Sequence, residues 1–185
     1  MITKEEALKL LHSNMQSVNL RKHCYSVAAV MRALAKHFGE NEDLWEITGL
    51  VHDIDYEKDP KTHPMEGLKI LKKEAYSKEI IDAVAAHAWG YHEGLPKPKN
   101  KMEWSLYCCD ELTGLVVACA LVRPDKKLSS LTVDSILKKW NQKAFAAGVN
   151  RSQIENCEKE LGIPLNEFID ISLKAMQGIS DDLGL

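Results

Sequence analysis

Six side chains of ligating chemistry occur in order along the chain: His23, His52, Asp53, His63, His87 and Asp110. Each stands beside apolar neighbours, in "LRKHCYSVAAV", "GLVHDID", "THPMEGLKIL", "IIDAVAAHA" and "YCCDELTGLV". Imidazole and carboxylate together suit Fe, Mn, Co, Ni or Zn, whereas a softer site would use thiolate. Taken singly, each has an ordinary reading. His63 could cap a helix before Pro64, His87 could be a satisfied core histidine, and Asp110 could pair with a lysine. The adjacent His52-Asp53 is weak by itself. The ordered set is harder to dismiss, because several buried histidines and carboxylates are costly without a compensating cation.

The elements that must position these groups read as helix after helix. Thr3 and Glu6 form a capping-box pattern ahead of a first helix reaching about His12. Asn19 is the expected cap of a second helix, whose Val27, Val30, Met31, Leu34 and Phe38 repeat at helical spacing and which Gly39 stops. Asn41 starts a third, carrying Leu44, Ile47, Leu50 and Val51 and ending at His52-Asp53. Asp59-Pro60 marks a turn, and a fourth helix is expected near His63-Pro64, proline suiting a first helical position. Ser77 can cap a fifth, leading to His87. Gly90–Lys101 is a Gly-, Pro- and Lys-rich loop. A long helix from about Met102 to Leu121 carries Asp110, two or three more follow, and the last runs from Pro164 with Leu165, Phe168, Ile169, Leu173, Met176 and Ile179 on one stripe. Sustained strand alternation is not seen. The expected class is all-α, a single domain over 1–185, with a metal-site core of about 15–122 and a helical extension of about 123–185.

Topology brings the ligands together. Gly39 folds the second and third helices back on each other, and at ~1.5 Å rise per residue His23 and His52 lie at comparable heights from that turn. The head of the helix after His63 and the tail of the helix ending at His87 likewise share one end of an antiparallel bundle.

The ordered pattern H…HD…H…H…D resembles the HD-domain superfamily of metal-dependent phosphohydrolases over roughly residues 15–122, and the whole is similar to small bacterial stand-alone members. The resemblance implies an HD-like helical bundle with core ligands His23, His52, Asp53 and Asp110. It also implies a second set in which Asp53 bridges and His63 and His87 contribute, for one or two divalent ions of Fe, Mn, Co, Ni or Zn. The implied activity is hydrolysis of a phosphomonoester or phosphodiester of a nucleotide or small phosphorylated metabolite, by water activated at the metal. Two departures stand out: Tyr56 occupies a place where many binuclear members carry lysine, with Lys58 two residues on, and His87-Ala88 stands where some have two histidines. His92 in the loop could compensate, although an exposed loop histidine is the simpler reading. Asp53, Asp55, Glu57 and Lys58 are the candidate catalytic groups, with Asp55 or Glu57 orienting water or protonating the leaving oxygen. Arg21, Lys22 and Lys61 are candidate substrate-binding cations. An HD-fold di-iron oxygenase would use a similar six-residue set, and a non-catalytic metal-stabilised domain binding a nucleotide or a partner is the third alternative.

The remaining composition narrows the class. A chain of 185 residues, 45% hydrophobic and 28% charged, is ordinary globular material. No apolar run is expected to cross a bilayer, and the polar start "MITKEEALKLLH" does not read as a signal peptide. Five cysteines without a CxxC pair read as buried small hydrophobes in a reducing cytoplasm. The net charge of −3 argues against a nucleic-acid polymer as partner; no membrane partner is expected. From Arg123 to Arg151, however, seven basic residues (Arg123, Lys126, Lys127, Lys138, Lys139, Lys143, Arg151) face only Asp125 and Asp134. A solvated helical face is the favoured account of that stretch, and contact with an anionic substrate the alternative. His12 and His37 are assigned no role.

Overall fold

The computed structural model describes residues 2–142 and 144–185; Lys143, one of the basic stretch, lies outside them. Among the described residues the structure is helical without strands. The helices are α1 (Lys4–Asn14), α2 (Val18–Phe38), α3 (Glu42–Val51), α4 (Met65–Lys73), α5 (Lys78–His87), α6 (Lys101–Leu121), α7 (Val133–Trp140), α8 (Arg151–Asn156), α9 (Leu165–Gln177) and α10 (Ser180–Leu183). A 3₁₀ turn, Leu128–Ser130, precedes α7, and a π-helical turn, Cys157–Leu161, follows α8.

Local chemistry explains most boundaries. Thr3 and Glu6 close the capping box of α1 in both directions. Asn41 accepts from the Leu44 N–H to start α3, and Gly39, at φ +69, ends α2 in the left-handed conformation that glycine adopts without penalty. Several expectations shift. α2 is capped by Ser17 rather than Asn19, so it begins two residues early. Pro64 is the residue before α4 rather than its first residue. Four α-helices follow α6, the last being α10, and Ile179 lies beyond the end of α9.

Two apolar clusters organise the packing. One joins α1, α3 and α5 through Ala7, Leu11, Ile47, Leu50, Ile80 and Val84, with Ala28 of α2. The other surrounds α6, with Leu106, Leu112, Leu115 and Val116 packed against α2 and against Phe168, Ile169 and Met176 of α9. All five cysteines are free and buried in these clusters. α6 corrects one expectation: at 21 residues, with an 18-residue window of mean hydropathy 1.3, it is long and apolar enough to cross a bilayer, yet 67% of that window is buried inside the fold. Here it is the central core helix.

One glycine sets the key contact between α2 and α3. A Cβ at Gly49 would lie 2.6 Å from Ala28 Cα, so only glycine permits this approach. Gly49 sits one turn before His52, and the close packing brings the His23 and His52 rings to 5.3 Å between centroids.

Candidate metal centre

The six side chains arrive from four helices and one loop. His23 lies in the first turns of α2 and Asp110 midway along α6; His52 caps α3, Asp53 follows it, and His87 is the last residue of α5. His63 stands in the turn before α4. His52, Asp53, His63 and His87 are buried, whereas the His23 and Asp110 side chains keep 24% and 19% exposure and form the open side.

Each imidazole commits its Nδ1 outward and turns its Nε2 inward. Nδ1 of His52 donates to the Gly49 carbonyl at 2.7 Å, and that of His87 to the Val84 carbonyl at 2.5 Å. Nδ1 of His63 donates to Asp55 Oδ1 at 2.7 Å, and Nδ1 of His23 lies 3.4 Å from Thr113 Oγ1. Outward hydrogen bonds of this kind fix the tautomer and leave the other nitrogen available as a ligand. The inward atoms then meet the carboxylates. His23 Nε2 is 2.9 Å from Asp110 Oδ1 and 3.7 Å from Asp53 Oδ2. His52 Nε2 is 3.5 Å from each of those two oxygens. The other oxygen of Asp53, Oδ1, lies 3.2 Å from His63 Nε2 and 3.5 Å from His87 Nε2. Asp53 thus presents one oxygen to each half of the cluster.

The donor set fits a divalent cation. His52 Nε2 is buried without a hydrogen-bond partner, a costly arrangement unless a cation satisfies it. Ligating atoms of His23, His52 and Asp110, and of His52, Asp53 and His87, lie within 4.8 Å of one another. The electrostatics also call for positive charge. Burial drives the His52 imidazole toward neutrality, but Asp53 and Asp110 outweigh it and hold its pKa up at about 9. Burial opposes ionisation of Asp53 and Asp110 too, yet the surrounding histidines keep both carboxyls well below the usual carboxylate range. Burial pushes the His87 imidazole down, toward the neutral form that ligates.

Asp55 is placed differently from the expectation of a catalytic group in a charged loop. It is 1% exposed, with Oδ1 on His63 and Oδ2 accepting the Gly67 N–H at 2.8 Å near the start of α4. Both oxygens are spent on orientation. Glu57 accepts the backbone N–H groups of Gln16 and Ser17 at the start of α2, where a carboxylate suits the helix dipole. Lys58 donates to Asn14. Arg21 donates to the carbonyls of Met15 and His12, and the Lys22 ammonium lies against Gly184 after α10. Glu57, Lys58 and Arg21 brace the bundle end around the α1–α2 turn, and neither they nor Lys22 line the cavity over the cluster; the exposed Lys61 does not line it either.

That cavity, of about 330 Å³, is lined by His23, Asp53, His63, His87 and Asp110 together with residues the sequence did not single out. Among these are Tyr91 and Glu111. Tyr91 donates its hydroxyl to Glu111 at 2.8 Å, and Glu111 also accepts the Asn150 N–H at 2.9 Å. Burial pushes the Glu111 carboxyl up, against the stabilising Asn150 contact. Tyr56 packs edge-on against His63, with centroids 5.3 Å apart. His92, expected to be exposed, is half-buried at the cavity wall. A larger groove of about 1010 Å³ lies between α1, α2 and α3 but contains none of the six convergent side chains. Two cations of the basic stretch are used locally: Arg151 donates to the carbonyls of Trp140, the last residue of α7, and Phe145, and Arg123 donates to Ser130.

Comparison with known proteins agrees with this geometry. The sequence profile of the HD domain matches residues 20–113. Curated relatives include Ribonuclease Y of Oleidesulfovibrio alaskensis, 33% identical over 59% of this chain and 21% of that protein. Ribonuclease Y of Acholeplasma laidlawii is 30% identical over 67% of this chain and 22% of its own length. Ribonuclease Y of Aster yellows witches'-broom phytoplasma is 41% identical over 38% and 14%. The chain spans about a fifth of the length of the first of these relatives. With the profile covering half of its residues, and with His23, Asp53, His63, His87 and Asp110 of that stretch lining one cavity, the chain belongs to the HD-domain family.

Proposed function

We propose that the protein is a metal-dependent phosphohydrolase whose reaction takes place in the cavity over Asp53. The observation that carries this reading is the division of the Asp53 carboxylate, with Oδ2 toward His23 and His52 and Oδ1 toward His63 and His87. His23, His52, Asp53 and Asp110 would hold one ion, and Asp53, His63 and His87 a second. Bound divalent ions there would supply Lewis-acid stabilisation of a phosphoryl oxygen and lower the pKa of water.

The chain's own residues set the rest. Asp55 and the Gly49 and Val84 carbonyls hold the rings at fixed angles, so little reorganisation is needed when charge develops. The cavity admits substrate from the side of His23 and Asp110. In the overall reaction a water oxygen bonds to phosphorus, the ester P–O bond breaks, and the alcohol leaves with one of the water's protons.

A second reading is favoured by the relatives' name. Ribonucleases act on RNA, so an RNA phosphodiester is a candidate substrate despite the chain's net charge of −3. The deciding experiment is a panel of phosphomonoesters, phosphodiesters and short RNAs on protein reconstituted with Mn or Fe, with Asp53→Ala and His52→Ala alongside. Metal-dependent phosphate or oligonucleotide release, abolished in both variants while helical content is kept, is expected. Full activity and wild-type metal content in either variant would remove the assignment. Oxygen-dependent turnover without phosphate release would replace hydrolysis by oxidation.

A further inference from the structure

The walls of the cavity differ in character from its floor. Six large apolar side chains are well exposed among the described residues, and two of them, Tyr56 at 40% and Tyr91 at 59%, line this one cavity. Exposed aromatics gathered over a polar floor mark a contact surface. Neither ring is loose: Tyr56 is set edge-on against His63, and Tyr91 is tethered through its hydroxyl to Glu111. Leu20, Pro60 and Val149 complete an apolar rim.

The charge of the cavity is equally specific. Among the described lining residues there is no lysine or arginine, while Asp53, Asp110 and Glu111 are all acidic. The nearby cations Arg21 and Lys58 are committed to the α1–α2 turn, and Lys22 lies against Gly184. Apart from the histidines of the lining, positive charge for an anionic substrate would therefore come from bound metal. Two divalent ions exceed the charge of the three carboxylates by a single unit, enough for one phosphoryl group and too little for further anions in a partly desolvated site.

We infer that the cavity recognises a substrate carrying one phosphoryl group next to a planar, uncharged aromatic or heterocyclic ring, which Tyr56 and Tyr91 contact, and that it discriminates against substrates with further anionic groups. This rests on the phosphohydrolase reading and adds the substrate class. Stacking on an aromatic wall supplies about 1–3 kcal/mol per ring, which corresponds to roughly fivefold to 150-fold in affinity.

The test uses non-hydrolysable probes. Binding of phenylphosphonate, methylphosphonate and 4-sulfophenylphosphonate to Mn-loaded full-length protein is measured by calorimetry. Phenylphosphonate should bind at least about fivefold more tightly than methylphosphonate, and the added sulfonate should erase that gain. Tyr56→Ala and Tyr91→Ala should each reduce the phenyl preference, whereas Tyr56→Phe and Tyr91→Phe should keep it. Both side chains are exposed, so these truncations leave the core intact. Equal binding of phenyl and methyl probes, or tighter binding of the sulfonated one, overturns the inference. If phosphate release persists in the substrate panel in that case, the hydrolase reading stands and only the substrate class is lost. If there is neither phosphonate binding nor ester cleavage, both fall.

Discussion

His63 and His87 present their Nε2 atoms to each other at 3.0 Å, each with its Nδ1 already donated elsewhere. Two bare nitrogen lone pairs at that separation repel unless a proton or a metal ion sits beside them. Asp53 Oδ1 completes the group. A second ion held by Asp53, His63 and His87 would have few protein ligands, as an open catalytic site needs. Anaerobic reconstitution with Fe or Mn should yield about two ions per chain, and about one in a His63→Ala, His87→Ala double variant, as read by elemental analysis. One ion in both proteins with equal activity would make these histidines structural.

Asp55 acts on His63 without facing the cavity. Replacing it by Asn keeps the size but removes the negative charge that accepts from Nδ1 and holds the ring in place. Loss of such a supporting carboxylate costs about 10–100-fold in metal affinity or activity. Asp55→Asn should therefore weaken the second ion selectively, in a competition titration that resolves two sites. An equal loss at both sites would point to general damage around Gly67, whose N–H Asp55 also holds.

Much of this site was legible in sequence because ligand chemistry and helical spacing are local. His52-Asp53 at the end of an apolar run, and His87 at the end of another, follow from the pattern of α3 and α5. The roles of Asp55, Glu57, Lys58 and Arg21 were not legible, because a charged loop reads as solvent-facing until its partners are known. Here Glu57 and Lys58 meet the α1–α2 turn more than 40 residues earlier in the chain, and Asp55 turns inward to α4. Gly49 was hidden for the same reason: its value lies in the distance to Ala28, a contact between helices. The aromatic walls escaped because Tyr56 and Tyr91 have no shared period.

The charge on His52 gives a pH signature. In metal-free protein its folded pKa of about 9 exceeds the unfolded 6.5. The imidazolium therefore stabilises the metal-free fold fully below about 6.5, and that contribution is lost as pH rises through about 9. Asp53 and Asp110, with depressed pKa values, are already ionised at neutral pH and contribute no proton there. Metal binding must displace the His52 proton, so at pH 7 about one proton should be released on loading, and affinity should rise with pH toward 9. Calorimetry in buffers of different ionisation enthalpy measures this directly; pH-independent affinity between 7 and 9 would contradict it.

The basic stretch supplies a control. Lys126 and Lys127 lie in the turn after α6 and do not line the cavity. Their neutral variants should leave KM for a phosphorylated substrate unchanged within twofold at low ionic strength, where screening is weakest. A severalfold rise in KM would restore the substrate-contact account of that stretch.

Gly49 links the fold to the site most directly. In α3 it has no conformational need for glycine, so the requirement is steric: a methyl group would meet Ala28 Cα at 2.6 Å and Ala28 N at 2.7 Å. Both are backbone atoms and cannot rotate away. α3 must then shift from α2, carrying His52 away from His23, while the Gly49 carbonyl that holds His52 Nδ1 shifts too. Overpacking of this kind costs about 1–3 kcal/mol. Gly49→Ala should lower the stability of the metal-free protein by that amount in urea titration, and weaken the first ion, held through His23 and His52, more than the second. If Gly49→Ala keeps wild-type affinity at the first ion while losing stability, the helix approach is a packing feature alone, and the position of His52 is set from the Asp53 side.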